Sequence, residues 1–203
     1  MHDQKMSAAL AADLDSSFEQ VVLAYQHRLY AFALRLTGNP QDAEEITQDA
    51  FVRAYRALRT YPASRRHALA LRPWLHQIAL NVFRNRLRRR PLHLVPLDQG
   101  DEAGDLELEG DKEVQPDVAL ERAELNASLN ALVAALPPRY RVAVVLRYVQ
   151  GLGYREMAAV LKQPIGTIKA NVHRGIHLLR EVADAQEQIT CSHAQLNARR
   201  RIR

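Results

Sequence analysis

Between Pro91 and Pro116 the chain offers few residues that a core could use. The stretch holds Asp98, Asp101, Glu102, Asp105, Glu107, Glu109, Asp111 and Glu113 against one lysine, and Pro91, Pro96 and Pro116 interrupt it. A segment of this composition buries too little apolar surface to offset the entropy lost on ordering it. It therefore reads as an acidic tether, and it divides the 203 residues into two bodies. With 47% apolar residues overall, each side still has enough for a small core.

Both sides carry a helical period. Phe18, Val21, Val22, Tyr25, Leu29, Phe32 and Leu36 mark one amphipathic stripe. Gly38 ends it, and Asn39-Pro40-Gln41-Asp42 opens the next helix with a cap residue, a first-turn proline and an acid. Ala43, Ile46, Ala50, Phe51, Ala54 and Leu58 continue to the break at Tyr61-Pro62, and a third helix runs from Arg72-Pro73 to about Arg89. Beyond the tether, periodicity resumes at Leu125, breaks at Pro137-Pro138, and ends in a short helix (Tyr154–Leu161), a tight connection and a longer helix (Thr167–Arg180). No segment alternates as a strand would. The expected fold is all-α: two small helical domains over 15–90 and 117–182, a flexible acidic linker over 91–116, and a basic tail over 183–203 expected to fray.

The charge pattern points to a polyanion. Between Phe51 and Pro91 stand eleven arginines and no aspartate or glutamate. A surface that is merely solvated usually mixes signs, because interspersed charges avoid self-repulsion. On the third helix Leu75, Ile78, Ala79 and Val82 form the stripe expected to be buried. Gln77, Asn81, Arg84, Asn85 and Arg88 form a polar stripe beside it, with amides and guanidinium groups able to meet bases and phosphates. Tyr55, Tyr61 and Trp74 lie near enough to stack on unpaired bases, although a first-turn tryptophan is more often a core residue. The second helix begins acidic, with Asp42, Glu44, Glu45 and Asp49 around Gln48, and turns basic at Arg53, Arg56 and Arg59. The helix dipole alone would favour that order. The same acids would also make a compact surface for a basic protein partner.

In the second domain a connection holding Pro164 and Gly166 lets two helices cross, with Met157, Ala158, Leu161, Ile168, Val172, Ile176 and Leu179 between them. Thr167, Lys169, Ala170, Asn171, His173, Arg174 and His177 then face outward, as the recognition helix of a helix-turn-helix would present them. A helical hairpin with a solvated basic face is the plainer alternative. Against it, Pro138–Val182 carries eight Lys or Arg and only Glu156 and Glu181.

Enzyme motifs are missing: there is no HExxH, P-loop or GxSxG, and the eight histidines are scattered. No catalytic residue, cofactor or metal site is expected. Cys191-Ser192-His193 reads as part of the tail rather than as a ligand pair. A single cysteine fits a reducing compartment, and no apolar run is long enough for a membrane span. A cytoplasmic protein without membrane insertion is the expectation.

Asp42-Ala43-Glu44-Glu45-Ile46-Thr47-Gln48-Asp49-Ala50-Phe51-Val52-Arg53-Ala54-Tyr55 resembles the region 2 segment with which bacterial sigma factors of the extracytoplasmic-function type dock on RNA polymerase. Arg72-Pro73-Trp74-Leu75-His76-Gln77-Ile78-Ala79-Leu80-Asn81 and the arginine run after it resemble the part that melts and grips the −10 element. Leu136-Pro137-Pro138-Arg139-Tyr140-Arg141, Gly151–Ala158 and Pro164–Lys169 with His173-Arg174 resemble region 4, whose recognition helix reads the −35 element. The chain departs from that pattern at Gly153, where serine or threonine is usual, at Lys162 and Gln163 in the turn, and at Ala170 and Asn171.

The resemblance implies a sigma factor that directs promoter-specific initiation. A stand-alone helix-turn-helix regulator is the alternative. It implies core-polymerase contacts at Asp42, Glu44, Glu45, Gln48, Asp49 and Arg53, made to the clamp helices, with region 4 at the flap. It implies −10 contacts at Tyr61, Arg65, Arg66, Trp74, Gln77, Asn81, Arg84, Asn85 and Arg88, with the loop Tyr61–Leu71 holding a flipped base. It implies −35 contacts at Arg155, Thr167, Lys169, Asn171, His173, Arg174 and His177. Partners would be core polymerase, double- and single-stranded promoter DNA and an anti-sigma factor, at the nucleoid when active.

Overall fold

The computed structural model describes the backbone over residues 2–89 and 128–200 and the side chains over 3–88 and 128–184. Among the described residues every regular element is helical. The acidic linker and the side chains of Cys191 and His193 lie outside them.

The first unit consists of α1 (His2–Ala12), α2 (Leu14–Thr37), α3 (Pro40–Thr60), α4 (Ala63–His67) and α5 (Leu71–Arg89). Asp13 caps α2 by accepting from the amides of Asp15 and Ser16, and Gly38 ends it at φ 70° with its N–H on the Leu34 carbonyl. Asn39 caps α3 on the Asp42 amide, with Pro40 in the first turn. α2, α3 and α5 pack together, and the core contains Val21, Tyr25, Leu29, Phe32, Leu36, Ile46, Phe51, Leu58, Leu75, Ala79 and Val82. These are the positions that the 3.6-residue period selects.

Helix α1 departs from the sequence reading, which began this domain at residue 15. Met6 and Leu10 on α1 are buried, as is Leu14 at the start of α2, and the i, i+4 spacing of the three was the available signal. The loop expected over Tyr61–Leu71 also contains a helix, the single-turn α4.

The second unit holds a helix over 128–135 (α6), α7 (Pro138–Val144), a π-helical turn (Val145–Val149), α8 (Tyr154–Leu161) and α9 (Ile165–Arg200). Helix α9 does not end near Val182 as expected. No glycine or proline follows Gly175, and the residues beyond are mostly good helix formers, so propensity carries the helix to Arg200. At the start of α8 the Gly153 N–H donates to Glu156 Oε2 at 2.7 Å. That is half of a capping box, since glycine has no side chain for the other half. Lys162 ends α8 in the left-handed region at φ 54°, a conformation that costs a non-glycine residue about 1 kcal/mol.

The crossing of α9 over α7 is centred on a residue that the apolar pattern could not show. A Cβ on Gly175 would lie 2.5 Å from Val144 Cγ2 and 3.4 Å from the Tyr140 carbonyl. Ile176, expected at the crossing, is only half-buried. Gly175→Val should therefore destabilise the chain by about 2–3 kcal/mol, read as a shift in urea midpoint.

The two units share a seam. α5 packs on α8, and α2 packs on α7 and the π turn, so that Leu146, Leu152, Met157 and Val160 join the core of the first unit. With neighbours on two sides, α5 buries His76, Leu80 and Phe83 as well as its expected stripe, while Ile78 is half-buried.

Candidate nucleic-acid interface

On α5, Asn81, Asn85 and Arg88 are exposed, and Arg84 and Gln77 are half-buried. Burial and the neighbouring Arg88 lower the pKa of Arg84, yet a guanidinium stays charged at any physiological pH. Among the described residues neither Arg84 nor Arg88 has a carboxylate partner. Two crowded cations without counter-charge favour an incoming polyanion. Trp74 and Tyr61 lie beside this face with ring centroids 6.1 Å apart, and the exposed Arg65 sets its guanidinium 3.7 Å over the Tyr61 ring. That is a stacking platform with a cation next to it.

Two of the predicted −10 residues, Arg66 and Gln77, and the stacking candidate Tyr55 are engaged elsewhere. Arg66 turns away from Arg65: its Nη1 donates to the Leu10 carbonyl at 2.9 Å, and its Nε is buried without an acceptor. This guanidinium ties the segment to α1. Tyr55 is likewise taken, donating to Asp15 at 2.6 Å and packing on Phe18. Gln77 belongs to the polar stripe, but its Nε2 faces the Ala159 carbonyl of α8 at 3.4 Å.

On α3, Glu44, Glu45, Gln48, Asp49 and Arg53 are exposed and Asp42 is half-buried. Gln48 donates to Glu44 at 3.0 Å. Arg86 belongs to the single-sign arginine stretch that the sequence reading set against a polyanion. Instead it joins α5 to this acidic row, with Nη1 3.2 Å from Asp42 Oδ1 and Nη2 on Glu45 Oε2. No periodicity of one helix could reveal a pair that forms between two.

On the second unit Arg155, Thr167, Lys169, Ala170, His173, Arg174 and His177 are exposed and Asn171 is half-buried. Ile168 and Val172 are buried on the other side of α9, as a recognition helix requires. The neighbouring Arg174, with Arg139 as a second cation, holds the Tyr140 phenol below its ordinary pKa. His177 lies 3.4 Å from Glu181, one turn along. Lys169 sits over the Tyr154 ring at 5.6 Å.

The seam between the units is polar at its centre. Arg141 is buried and donates to the Leu36 carbonyl of α2 at 2.7 Å and to the carbonyls of Leu136 and Ala134. Leu36 is in the last turn of α2, where carbonyls lack helical partners. Gln150, which follows the π turn, places Oε1 3.0 Å from His76 Nε2 and Nε2 3.4 Å from the Arg28 carbonyl, while His76 Nδ1 lies 2.7 Å from the Arg72 carbonyl.

Burial, then the cations of Arg72 and Arg28, hold the His76 pKa below its ordinary 6.5, against the opposing hydrogen bonds to Arg72 and Gln150. The groups facing the ring are Arg72 on α5, Arg28 and Phe32 on α2, and Gln150. A folded-state pKa below the unfolded one means that, once the pH falls past about 6.5, the native state holds fewer protons than the unfolded chain. Stability from this site is therefore complete above that pH and is lost below it. The urea midpoint should drop between pH 7.5 and 5.5, and His76→Gln should flatten that part of the drop.

Among the described residues no group of three or more histidine, cysteine, aspartate or glutamate side chains is placed to hold a metal ion. No described helix is long and apolar enough to cross a membrane.

Two family descriptions match the chain: Sigma-70 region 2 over residues 21–91 and Sigma-70, region 4 over residues 127–179. The ECF RNA polymerase sigma factor SigE of Mycolicibacterium smegmatis is 33% identical over 166 residues, covering 81% of this chain, and the chain spans 61% of that relative's length. The RNA polymerase sigma-H factor of Pseudomonas aeruginosa is also 33% identical, covering 85% of this chain and 89% of the relative. The sigma factor RpoE, solved with the anti-sigma factor NepR from Bartonella quintana, superposes with a TM-score of 0.61 at 23% identity, covering 82% of this chain and 96% of that one, and so shares the fold. The two matched regions, in order and on either side of the acidic linker, show that the chain belongs to the sigma-70 family of transcription initiation factors, among its ECF members.

Proposed function

We propose that the chain docks on core RNA polymerase through the acidic row of α3, anchors upstream duplex with α9, and captures melted −10 bases with α5 and the Tyr61–Leu71 segment. The observation that carries this reading is the division of charge within the first unit. An exposed acidic row on α3 suits a basic protein surface, and the uncompensated Arg84 and Arg88 beside Asn81 and Asn85 suit DNA. A stand-alone helix-turn-helix regulator would leave both features of the first unit without a use. The core contacts are assigned to Asp42, Glu44, Glu45, Gln48, Asp49 and Arg53, with the clamp helices as the docking surface and the flap as the seat of region 4. The −10 contacts are assigned to Tyr61, Arg65, Trp74, Gln77, Asn81, Arg84, Asn85 and Arg88. Arg155, Thr167, Lys169, Asn171, His173, Arg174 and His177 take the −35 element. The chain catalyses nothing itself and needs no metal or cofactor. It works in the cytoplasm, at the nucleoid when active, and an anti-sigma factor is a further partner.

This division of labour requires the seam to open. Elements named −35 and −10 lie about 25 base pairs apart, or about 85 Å of B-form duplex at about 3.4 Å per pair. Two units in contact cannot reach both. The interval 90–127 can span roughly 120 Å when extended, so the chain is long enough once the units part. Opening also returns Arg141 to water and frees Gln77 from Ala159, which offsets part of the cost of exposing the apolar contacts of the seam.

Binding of the holoenzyme to a promoter duplex tests the electrostatic part. About six phosphate contacts should lower affinity roughly a thousandfold between ~50 and ~200 mM salt. A flat salt profile would remove the DNA assignment.

A further inference from the structure

We propose that α1 is a brace for the base-capture segment, with Ser7 and Arg66 as positioning residues for promoter opening; this rests on the reading that Tyr61–Leu71 receives a flipped base. The segment cannot hold its own shape. α4 has five residues, no side-chain cap and no buried side chain, and one isolated helical turn does not outweigh its nucleation cost. What fixes it comes from α1.

Ser7 is 1% exposed, and its Oγ donates to the Leu69 carbonyl at 2.7 Å across 62 residues of sequence. Arg66 donates from the other direction to the Leu10 carbonyl. Leu10 sits in the last turn of α1, where carbonyls are unpaired and the helix dipole favours a cation. The brace is itself anchored, because the Tyr25 hydroxyl of α2 donates to Asp3 Oδ1 at 2.6 Å. α1 is thus tied to the bundle near its start and to the capture segment through its second half.

Two consecutive arginines divide the work. Arg65 lies over Tyr61 on the outer side, and Arg66 is drawn inward to Leu10. The region 2 match begins at residue 21, beyond the end of α1. The brace needs no contact with DNA, and the buried Ser7 could make none.

The test uses full-length protein reconstituted with core polymerase. The probe is a fork-junction fragment, duplex through −35 and single-stranded across −10, taken from a promoter mapped for this protein. Ser7→Ala takes the hydroxyl donor away from the part-buried Leu69 carbonyl and should weaken fork binding at least about fivefold. Core affinity and binding to a −35-only duplex should stay unchanged. Base preference at the captured position should relax, amide exchange at Arg66 and Ala68 should accelerate while α2 and α3 stay protected, and Ser7→Thr, which keeps the hydroxyl, should restore binding. A purely structural role would lower core binding in parallel. Parental fork binding by Ser7→Ala overturns the brace, whatever the exchange shows. Tyr61→Ala and Arg65→Ala form the second arm: if they too bind the fork normally, the base-capture reading fails, and the brace with it.

Discussion

Glu44→Lys combined with Asp49→Lys should abolish assembly with core polymerase. Both side chains are exposed on α3, and among the described residues neither has an ion-pair partner. Their reversal therefore breaks, within the fold, only the exposed Gln48–Glu44 hydrogen bond and part of the favourable dipole arrangement, each a loss below about 1 kcal/mol. At a basic docking surface each attraction becomes a repulsion, and like charges placed together at an interface cost several kcal/mol. A combined loss of about 3 kcal/mol or more would be over a hundredfold in affinity. Glu45 is the less clean choice, because it also holds Arg86. Reversing it would set two cations together and confuse docking with the geometry of α5. Co-purification with core polymerase, with urea denaturation as the folding control, reads the effect. Retained assembly would move the docking surface off α3.

The second large effect concerns the seam. Gln77→Cys with Ala159→Cys, in a Cys191→Ser background, places two thiols where Gln77 now meets Ala159 across α5 and α8. Cross-linked with a short bis-maleimide, the chain should support transcript levels no higher than core polymerase alone, because the −10 and −35 readers cannot separate. The same protein left unlinked supplies the control for the loss of Gln77 itself. Unlinked protein should transcribe at a level set by one missing amide contact, while linked protein should not transcribe at all. Equal activity in the two would mean that the seam is not closed to promoters.

The helices legible in the sequence are those whose buried residues all fall on one apolar stripe. α2 and α3 each bury a single face, so their caps and core positions were readable in advance. α5 has neighbours on two sides, and its period understated its burial: His76 reads as polar, yet it sits inside the seam. α1 is short and weakly amphipathic and went unread, although Met6, Leu10 and Leu14 already stood at helical spacing. Gly175 was invisible because a close backbone approach leaves no hydrophobic mark.

The candidate site divides the same way. Residue types were readable, as with the single-sign stretch from Phe51 to Pro91, but their assignments depended on partners distant in sequence. Arg66 and Arg86 looked identical to Arg65 and Arg88 until Leu10 and the Asp42–Glu45 pair were placed beside them.

Transcription of genomic DNA from the encoding organism by purified core polymerase, with and without this protein, decides the matter. Sequencing of the 5′ transcript ends should show new start sites in the presence of the protein. They should share two upstream sequence blocks, near −10 and −35, and disappear with Glu44→Lys/Asp49→Lys. Start sites no different from those of core polymerase alone would contradict the assignment of this chain as a promoter-directing sigma factor.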